Sequence, residues 1–148
     1  MSEDNKLIIF TDGGSRGNPG PGACAFVIRS ADKILSQQSF LLGHTTNNQA
    51  EYSAVINALK FLVDNPLPIL STVPRIVFKS DSQLVVSQLS GLFKIKDFKL
   101  RQLVLKVKQL ENVINDKYAN ISIIYIHIPR SDNYLADRLL NEKLDSNF

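Results

Sequence analysis

The spacing of apolar residues changes once along this chain, and the change limits the order in which strands and helices can follow one another. Before residue 45, short runs rich in β-branched and aromatic residues predict three strands. After it, apolar residues recur at every third or fourth position, as in an amphipathic helix, and helices then alternate with two more strand-like runs. The pattern predicts the order βββαβααβα, which is that of a mixed α/β domain.

The predicted strands cover residues 7–11, 23–28, 34–42, 75–80 and 121–128. Residues 13–22 hold five glycines and two prolines, which predicts a tight, irregular turn between the first two strands. A helix is predicted to begin at the overlapping capping signatures Thr46-x-x-Gln49 and Asn48-x-x-Glu51 and to stop at Asn65-Pro66. The other helices are predicted at 82–89, along the apolar stripe Leu100, Leu103, Val104, Val107, Leu110 and Val113, and at 134–144.

Strands that are joined through helices prefer parallel pairing with a right-handed crossover. The first, fourth and fifth strands are therefore expected to run parallel, with the antiparallel three-strand meander on one side of them. We expect one five-stranded mixed sheet flanked by helices, in a single domain that spans residues 1–148. In such sheets ligands bind outside the carboxyl ends of the strands.

Composition excludes several classes of protein. A single cysteine, Cys24, rules out an internal disulfide, and with only His44 and His127 beside it the chain has no zinc-ligand spacing. Together with the absence of an apolar leader or membrane-length apolar run, this predicts a cytoplasmic protein that does not enter a membrane. The net charge is +3, and from Lys94 to Lys108 five lysines and one arginine stand against Asp97, which favours a polyanionic partner.

Four acidic residues stand where the fold does not need them. Asp12 and Asp81 each end a predicted buried strand, and Glu51 and Asp137 each fall in the first turn of a predicted helix. Each has an ordinary explanation, because an acid favours the first turn of a helix and Asp before Gly-Gly forms turns. Carboxylates at adjacent strand ends must converge, however, and would repel one another unless cations neutralise them. Oxygen ligands without cysteine or histidine indicate Mg²⁺ or Mn²⁺, and two such ions would suit phosphodiester hydrolysis.

The same residues fall within four segments that resemble type 1 ribonuclease H, in the same order and over nearly the whole chain. The segments are Phe10-Thr11-Asp12-Gly13-Gly14-Ser15-Arg16-Gly17-Asn18-Pro19-Gly20-Pro21-Gly22, Thr45-Thr46-Asn47-Asn48-Gln49-Ala50-Glu51, Ser80-Asp81-Ser82-Gln83 and Pro129-Arg130-Ser131-Asp132-Asn133-x-x-Ala136-Asp137. The resemblance implies the ribonuclease H-like fold. It also implies that the four acids are the ligands of two metal ions.

The resemblance extends to substrate contacts. It implies that six residues line the minor groove of the substrate and contact RNA 2′-hydroxyls or bases: Ser15, Gly17, Asn18, Asn47, Asn48 and Gln83. Thr46 corresponds to a contact with a phosphate of the DNA strand. Small amides suit a wide, shallow minor groove, although Asn47 and Asn48 could instead cap the helix. The basic protrusion of some family members and an amino-terminal hybrid-binding module are both missing from the sequence, so Lys94, Lys96 and Lys99 are expected to help hold the substrate.

The function that these observations predict is a monomeric, Mg²⁺-dependent endonuclease that hydrolyses the RNA strand of RNA–DNA hybrids, leaving 5′-phosphate and 3′-hydroxyl ends. Two alternatives stay open: a related nuclease acting on duplex RNA or DNA, and a nucleic-acid-binding module without catalysis. Many family members place a histidine before the final aspartate. His127 fits by counting, but it falls in a predicted strand, whereas Arg130 lies in the loop seven residues before Asp137. We expect Arg130 to be the auxiliary group, stabilising phosphate charge rather than acting as a base.

Overall fold

The computed structural model describes residues 5–91, 94–119 and 121–146. In this part of the chain the strands are β1 (Lys6–Ser15), β2 (Gly20–Ser30), β3 (Lys33–Thr45), β4 (Arg75–Ser80) and β5 (Ser122–His127). The helices are α1 (Asn47–Asp64), α2 (Gln83–Leu89), α3 (Phe98–Lys117) and α4 (Tyr134–Asp145), and one-turn 3₁₀ helices cover Pro68–Ser71 and Arg130–Asn133. The order of strands and α-helices is the predicted one.

The five strands form one sheet in the order β3-β2-β1-β4-β5. Strands β1, β2 and β3 pair antiparallel, whereas β4 pairs parallel with both β1 and β5. The prediction of a mixed five-stranded sheet with a three-strand meander is therefore confirmed. Within the described ranges, no helix combines the length and the apolar character that crossing a membrane requires.

The alternation of side chains along β1 explains why helices cover both faces of the sheet. Leu7 and Ile9 are buried in the core under α1 and α3, whereas Ile8 and Phe10 are buried on the opposite face with residues of α4. A strand that is buried on both faces has a continuous run of apolar residues, as residues 7–10 of β1 do. The sheet is thus the middle layer of three, and strands β1 and β2 are packed against helices on both faces.

Two local predictions were wrong. The glycine-rich segment does not form one irregular turn, because β1 continues through Asp12, Gly13 and Gly14 and pairs with β2 as far as the register Ser15↔Gly22. Only residues 16–19 lie between the two strands. The apolar stripe of α3 is buried at Val107, Leu110 and Ile114, whereas Val113 is 46% exposed, because a spacing of 3.6 residues places the inner face on Ile114.

Candidate active site

The parallel pairing of β1 and β4 brings two of the predicted acids together. The last pair in the register between these strands is Thr11↔Ser80, so Asp12 and Asp81 are the next residues on neighbouring strands. The prediction that Asp12 ends its strand was wrong, because β1 continues beside β2 after its pairing with β4 has stopped. Asp12 is consequently held in extended backbone and is only 7% exposed.

Glu51 reaches these two acids because α1 packs directly on the backbone of β1. A Cβ atom added to Gly13 would lie 2.3 Å from the carbonyl carbon of Ala50 and 2.5 Å from the amide nitrogen of Glu51. Only glycine permits this approach. Glu51 is the fifth residue of α1, not in its first turn as predicted, so the dipole of that turn does not explain an acid at this position.

Asp12, Glu51 and Asp81 form a compact acidic cluster. Each offers one carboxylate oxygen, and these oxygens all lie within 4.8 Å of one another. Asp137, in the first turn of α4, lies on the rim of the same cleft, whose volume is about 440 Å³. The structure therefore brings the four predicted acids to one cleft, with three of them in close contact.

Burial and mutual repulsion oppose ionisation of the acids in the cluster. Burial, together with the charges of Asp81, Asp137 and Glu51, raises the pKa of Asp12 to about 8. Burial raises the pKa of Glu51 to about 7, although a hydrogen bond from Ser82 opposes the shift. Burial also raises the pKa of Asp81, against the opposing charge of Arg130. A buried group of carboxylate oxygens that resist ionisation together, without cysteine or histidine, fits a hard divalent cation such as Mg²⁺.

The predicted substrate residues at the β1–β2 connection are tied to the start of α1. The Oδ1 atom of Asn47 accepts a hydrogen bond from the backbone N–H of Ser15 at 2.9 Å, and the backbone N–H of Asn47 donates to Oδ1 of Asn18 at 3.0 Å. Gly17 has a φ of +87°, which favours glycine at that point of the turn. These contacts fix the position of Ser15, Gly17, Asn18 and Asn47 relative to the acidic cluster.

Thr46, not an asparagine, supplies the side-chain cap of α1. Its hydroxyl accepts from the backbone N–H of Gln49 at 3.2 Å, so the capping alternative for Asn47 does not hold in this structure. Asn48 borders a smaller cleft of about 250 Å³ together with Asn18, Thr46 and Asp97. Thr46 and Asn48 therefore lie beside the turn of residues 16–19, next to the main cleft.

The remaining predicted substrate residues lie farther along the chain. Gln83 is the exposed first residue of α2, directly after Asp81-Ser82, and its Nε2 donates to the hydroxyl of Ser87 at 3.1 Å. Lys94 and Lys96 are exposed and precede α3. Neither lysine lines the main cleft, so any contact that they make with a substrate lies outside it.

The two candidates for the auxiliary group occupy different places. An Nη2 atom of Arg130 lies 3.4 Å from Oδ1 of Asp137, and Arg130 is among the residues that line the cleft. His127 is the last residue of β5, where it pairs with Ser80. Its side chain is exposed, and it is not among the residues that line the cleft. Arg130 is 78% exposed, so its charge can meet a polyanion that enters.

Sequence reasoning missed two polar residues beside the acids. Ser82 caps α2 by accepting from the backbone N–H of Val85, and its hydroxyl also bonds Glu51. Asn133 is completely buried and donates from Nδ2 to the backbone carbonyl of Thr11 at 2.9 Å. Both residues were within the motifs quoted above, but neither carries a charge, and each has an ordinary reading as a helix cap.

Comparison with known proteins identifies a single family. The sequence model of the RNase H family matches residues 4–145. "Bifunctional protein Rv2228c" of Mycobacterium tuberculosis is 36% identical over 143 residues, and "Ribonuclease HI" of Halobacterium salinarum is 38% identical over 141 residues; each match covers 95% of this chain. The chain spans only 36% and 65% of the lengths of these two relatives. The crystal structure of LC11-RNase H1 in complex with an RNA/DNA hybrid superposes with a TM-score of 0.81 at 35% identity, covering 95% of this chain and 98% of that one.

Proposed function

The chain belongs to the ribonuclease H family, and from that premise we propose that it hydrolyses the RNA strand of RNA–DNA hybrids as an endonuclease. The observation that carries the proposal is the acidic cluster of Asp12, Glu51 and Asp81, whose oxygens lie within 4.8 Å of one another beside the point where the pairing of β1 and β4 ends. A buried group of like charges costs stability, so its presence favours a catalytic role over a binding module that has lost its chemistry.

Asp12, Glu51, Asp81 and Asp137 are proposed to hold two Mg²⁺ ions, for which Mn²⁺ is an alternative. Bound divalent ions would activate the attacking water and neutralise the charge that develops on the leaving 3′ oxygen, giving 5′-phosphate and 3′-hydroxyl ends. The chain's own contribution is the fixed arrangement of the ligands. Asp12 and Asp81 are set by the strand register, and Glu51 is set by the approach of α1 to Gly13.

The proposed substrate is supported by the polar surface next to the cluster. A relative whose structure is superposable with this chain binds an RNA/DNA hybrid. We propose that Ser15, Gly17, Asn18, Asn47, Asn48 and Gln83 contact the minor groove and that Thr46 contacts a phosphate of the DNA strand. The hydrogen bonds among Ser15, Asn18 and Asn47 pre-organise the turn, which lowers the entropy that ordering it on binding would cost.

Arg130 is proposed to stabilise the charge of the scissile phosphate from the rim of the cleft. Arginine side chains in proteins do not serve as general bases, so the proposed role is electrostatic only. Lys94 and Lys96 are proposed to contact the backbone of the substrate outside the cleft. Exchanging both for alanine should lower the log–log slope of binding against salt by about one to two, from a slope that reports about three to five released ions. An unchanged slope would mean that these two lysines do not contact the substrate and only form part of the solvated surface.

One experiment tests the proposed function. A single labelled sequence is presented as RNA–DNA hybrid, duplex RNA, duplex DNA and single-stranded RNA, each with Mg²⁺ and with a chelator. We expect cleavage of the hybrid's RNA strand in Mg²⁺ only, and loss of nearly all cleavage in a folded Asp81→Asn variant purified in parallel. That variant keeps the size of the side chain, and its preparation controls for contaminating nuclease. Cleavage of duplex RNA or DNA in preference to the hybrid would favour the alternative nuclease, and binding without cleavage would favour the binding module.

The state of the protein in the cell is part of the proposal. We propose that residues 1–148 act as one catalytic domain, as a monomer in the cytoplasm. Light scattering of the purified chain over a range of concentrations tests the monomer. A mass that rises to twice that of the chain would contradict it.

A further inference from the structure

The side chain of Asn133 occupies a position that its sequence context does not explain. It lies at the N-cap of α4, where asparagine ordinarily accepts a hydrogen bond from the first turn of its own helix. In this structure it makes no such bond. Its Nδ2 instead donates to the backbone carbonyl of Thr11, 122 residues away in the chain, at 2.9 Å. The residue therefore forgoes a local capping bond for a contact with β1.

This contact lies directly beneath the acidic cluster. Thr11 precedes Asp12 on β1 and is paired with Ser80, which precedes Asp81 on β4. The Asn133 side chain also lowers the pKa of Asp81, against the rise that burial causes. One amide group thus bonds the strand that carries Asp12 and lies beside the carboxylate of Asp81, while its own backbone begins the helix that carries Asp137.

Burial makes these bonds costly to lose. Asn133 is 0% exposed, and its Oδ1 has no hydrogen-bond partner among the described residues. An apolar residue of the same size would avoid the unpaired oxygen, but it would leave the Thr11 carbonyl without this donor. The amide therefore carries a cost at its oxygen and a gain at its nitrogen, and the gain lies where a metal-ligand carboxylate must be oriented.

We propose that Asn133 is a positioning residue that orients the Asp81 carboxylate and sets the start of α4 against β1, so that the four acids can bind divalent ions together. It acts through Asp81 and does not touch the substrate. This inference rests on the proposed function for its catalytic consequence, but its effect on metal binding can be measured without any substrate.

The test compares three variants of the whole chain, each titrated with Mg²⁺ while thermal unfolding is followed. Asn133→Ala removes the amide, and Asn133→Leu removes it while keeping its approximate volume. Asn57→Ala is the matched control, because the Asn57 Nδ2 also donates two hydrogen bonds, to Cys24 and to the backbone of Ser53, away from the cluster. For both Asn133 variants we expect the half-saturating Mg²⁺ concentration to rise about 10-fold or more, which is the usual effect of removing a residue that orients a metal ligand. For Asn57→Ala we expect the same half-saturating concentration as in the parent.

Hybrid cleavage provides the second readout. The Asn133 variants should reach half-maximal kcat at a correspondingly higher Mg²⁺ concentration, with KM for the hybrid unchanged. An Asn133→Leu variant that titrates like the parent protein in both assays would overturn the inference, since packing alone would then explain the residue. If the parent shows the Mg²⁺-dependent shift in unfolding but cleaves no hybrid, the proposed function fails, while the unfolding titration still decides the role of Asn133. If the parent cleaves the hybrid but shows no Mg²⁺-dependent shift in unfolding, the inference about Asn133 and metal binding fails, while the proposed function stands.

Discussion

Replacing Asp12 by asparagine should stabilise the metal-free protein at neutral pH, although it should abolish Mg²⁺-dependent activity. In the folded state burial and the neighbouring acids raise the pKa of Asp12 from 3.8 to about 8. A raised carboxyl pKa means that the folded state holds its proton more tightly than the unfolded state. The associated stability is complete below pH 4 and is lost as the pH rises toward 8. Asparagine carries no charge anywhere in this pH range, so the Asp12→Asn variant does not lose stability in this way as the pH rises.

The size of the effect follows from the same shift. Taken alone, a change from 3.8 to about 8 costs the folded protein about 4 kcal/mol at pH 7 and about 1 kcal/mol at pH 4.5. Because Glu51 and Asp81 can take up the same proton, removing one charge should recover roughly half of this, or ~2 kcal/mol at pH 7. The advantage of Asp12→Asn should shrink to less than about 1 kcal/mol at pH 4.5.

Urea unfolding in the presence of a chelator, at pH 7 and at pH 4.5, measures both differences. The control is Asp116→Asn, an exposed acid outside the cluster, which should change the free energy of unfolding by less than about 0.5 kcal/mol at either pH. Adding Mg²⁺ should stabilise the parent protein and leave Asp12→Asn nearly unchanged. A variant that is no more stable than the parent at pH 7 without metal would refute the argument, because burial and the neighbouring acids would then not disfavour a charge on Asp12.

Two further predictions concern the neighbouring positions. Gly13→Ala should destabilise the fold by about 3 kcal/mol or more in urea unfolding, since its Cβ would meet the α1 backbone, whereas Gly14→Ala, whose Cβ would find its nearest atom at 3.6 Å, should cost less than about 1 kcal/mol. Equal losses at the two glycines would mean that α1 moves away freely. Arg130→Ala should lower kcat by about 10- to 100-fold, and His127→Ala should change it little. A larger loss of kcat in folded His127→Ala than in folded Arg130→Ala would assign the auxiliary role to His127 instead.

The sequence predicted the order of strands and helices because its apolar periods are unambiguous. It also predicted that Asp12 and Asp81 meet, since the ends of neighbouring parallel strands must lie together once β1 and β4 are recognised. Glu51 and Asp137 were singled out by their places near helix starts, but only the resemblance joined them to the other two acids as metal ligands, because nothing in a helical pattern alone says which of its acids faces a cleft. The sheet order and the four acids therefore needed little beyond pattern and family.

What the sequence did not reveal depends on contacts between distant parts of the chain. Glycines at 13 and 14 indicate a turn by local propensity, yet Gly13 stays in a strand because α1 needs the space that a side chain would take. Asn133 indicates a helix cap by the same reasoning, yet its amide is used by Thr11 and Asp81. In both cases the local preference is worth about 1 kcal/mol, which a tertiary contact readily outweighs.

The two failures have a common physical cause, and it bears on how the site is built. Carboxylates that repel one another are not held together by their own interactions, so the surrounding backbone must force them into place. Here the register of β1 and β4 fixes two of them, the missing side chain at Gly13 admits the third, and the Asn133 amide bonds the Thr11 carbonyl next to Asp12. Residues that do this work are small or uncharged. They break local rules of turn and cap formation, and that conflict between local preference and observed contact is the signal by which further supporting residues of such a site can be found.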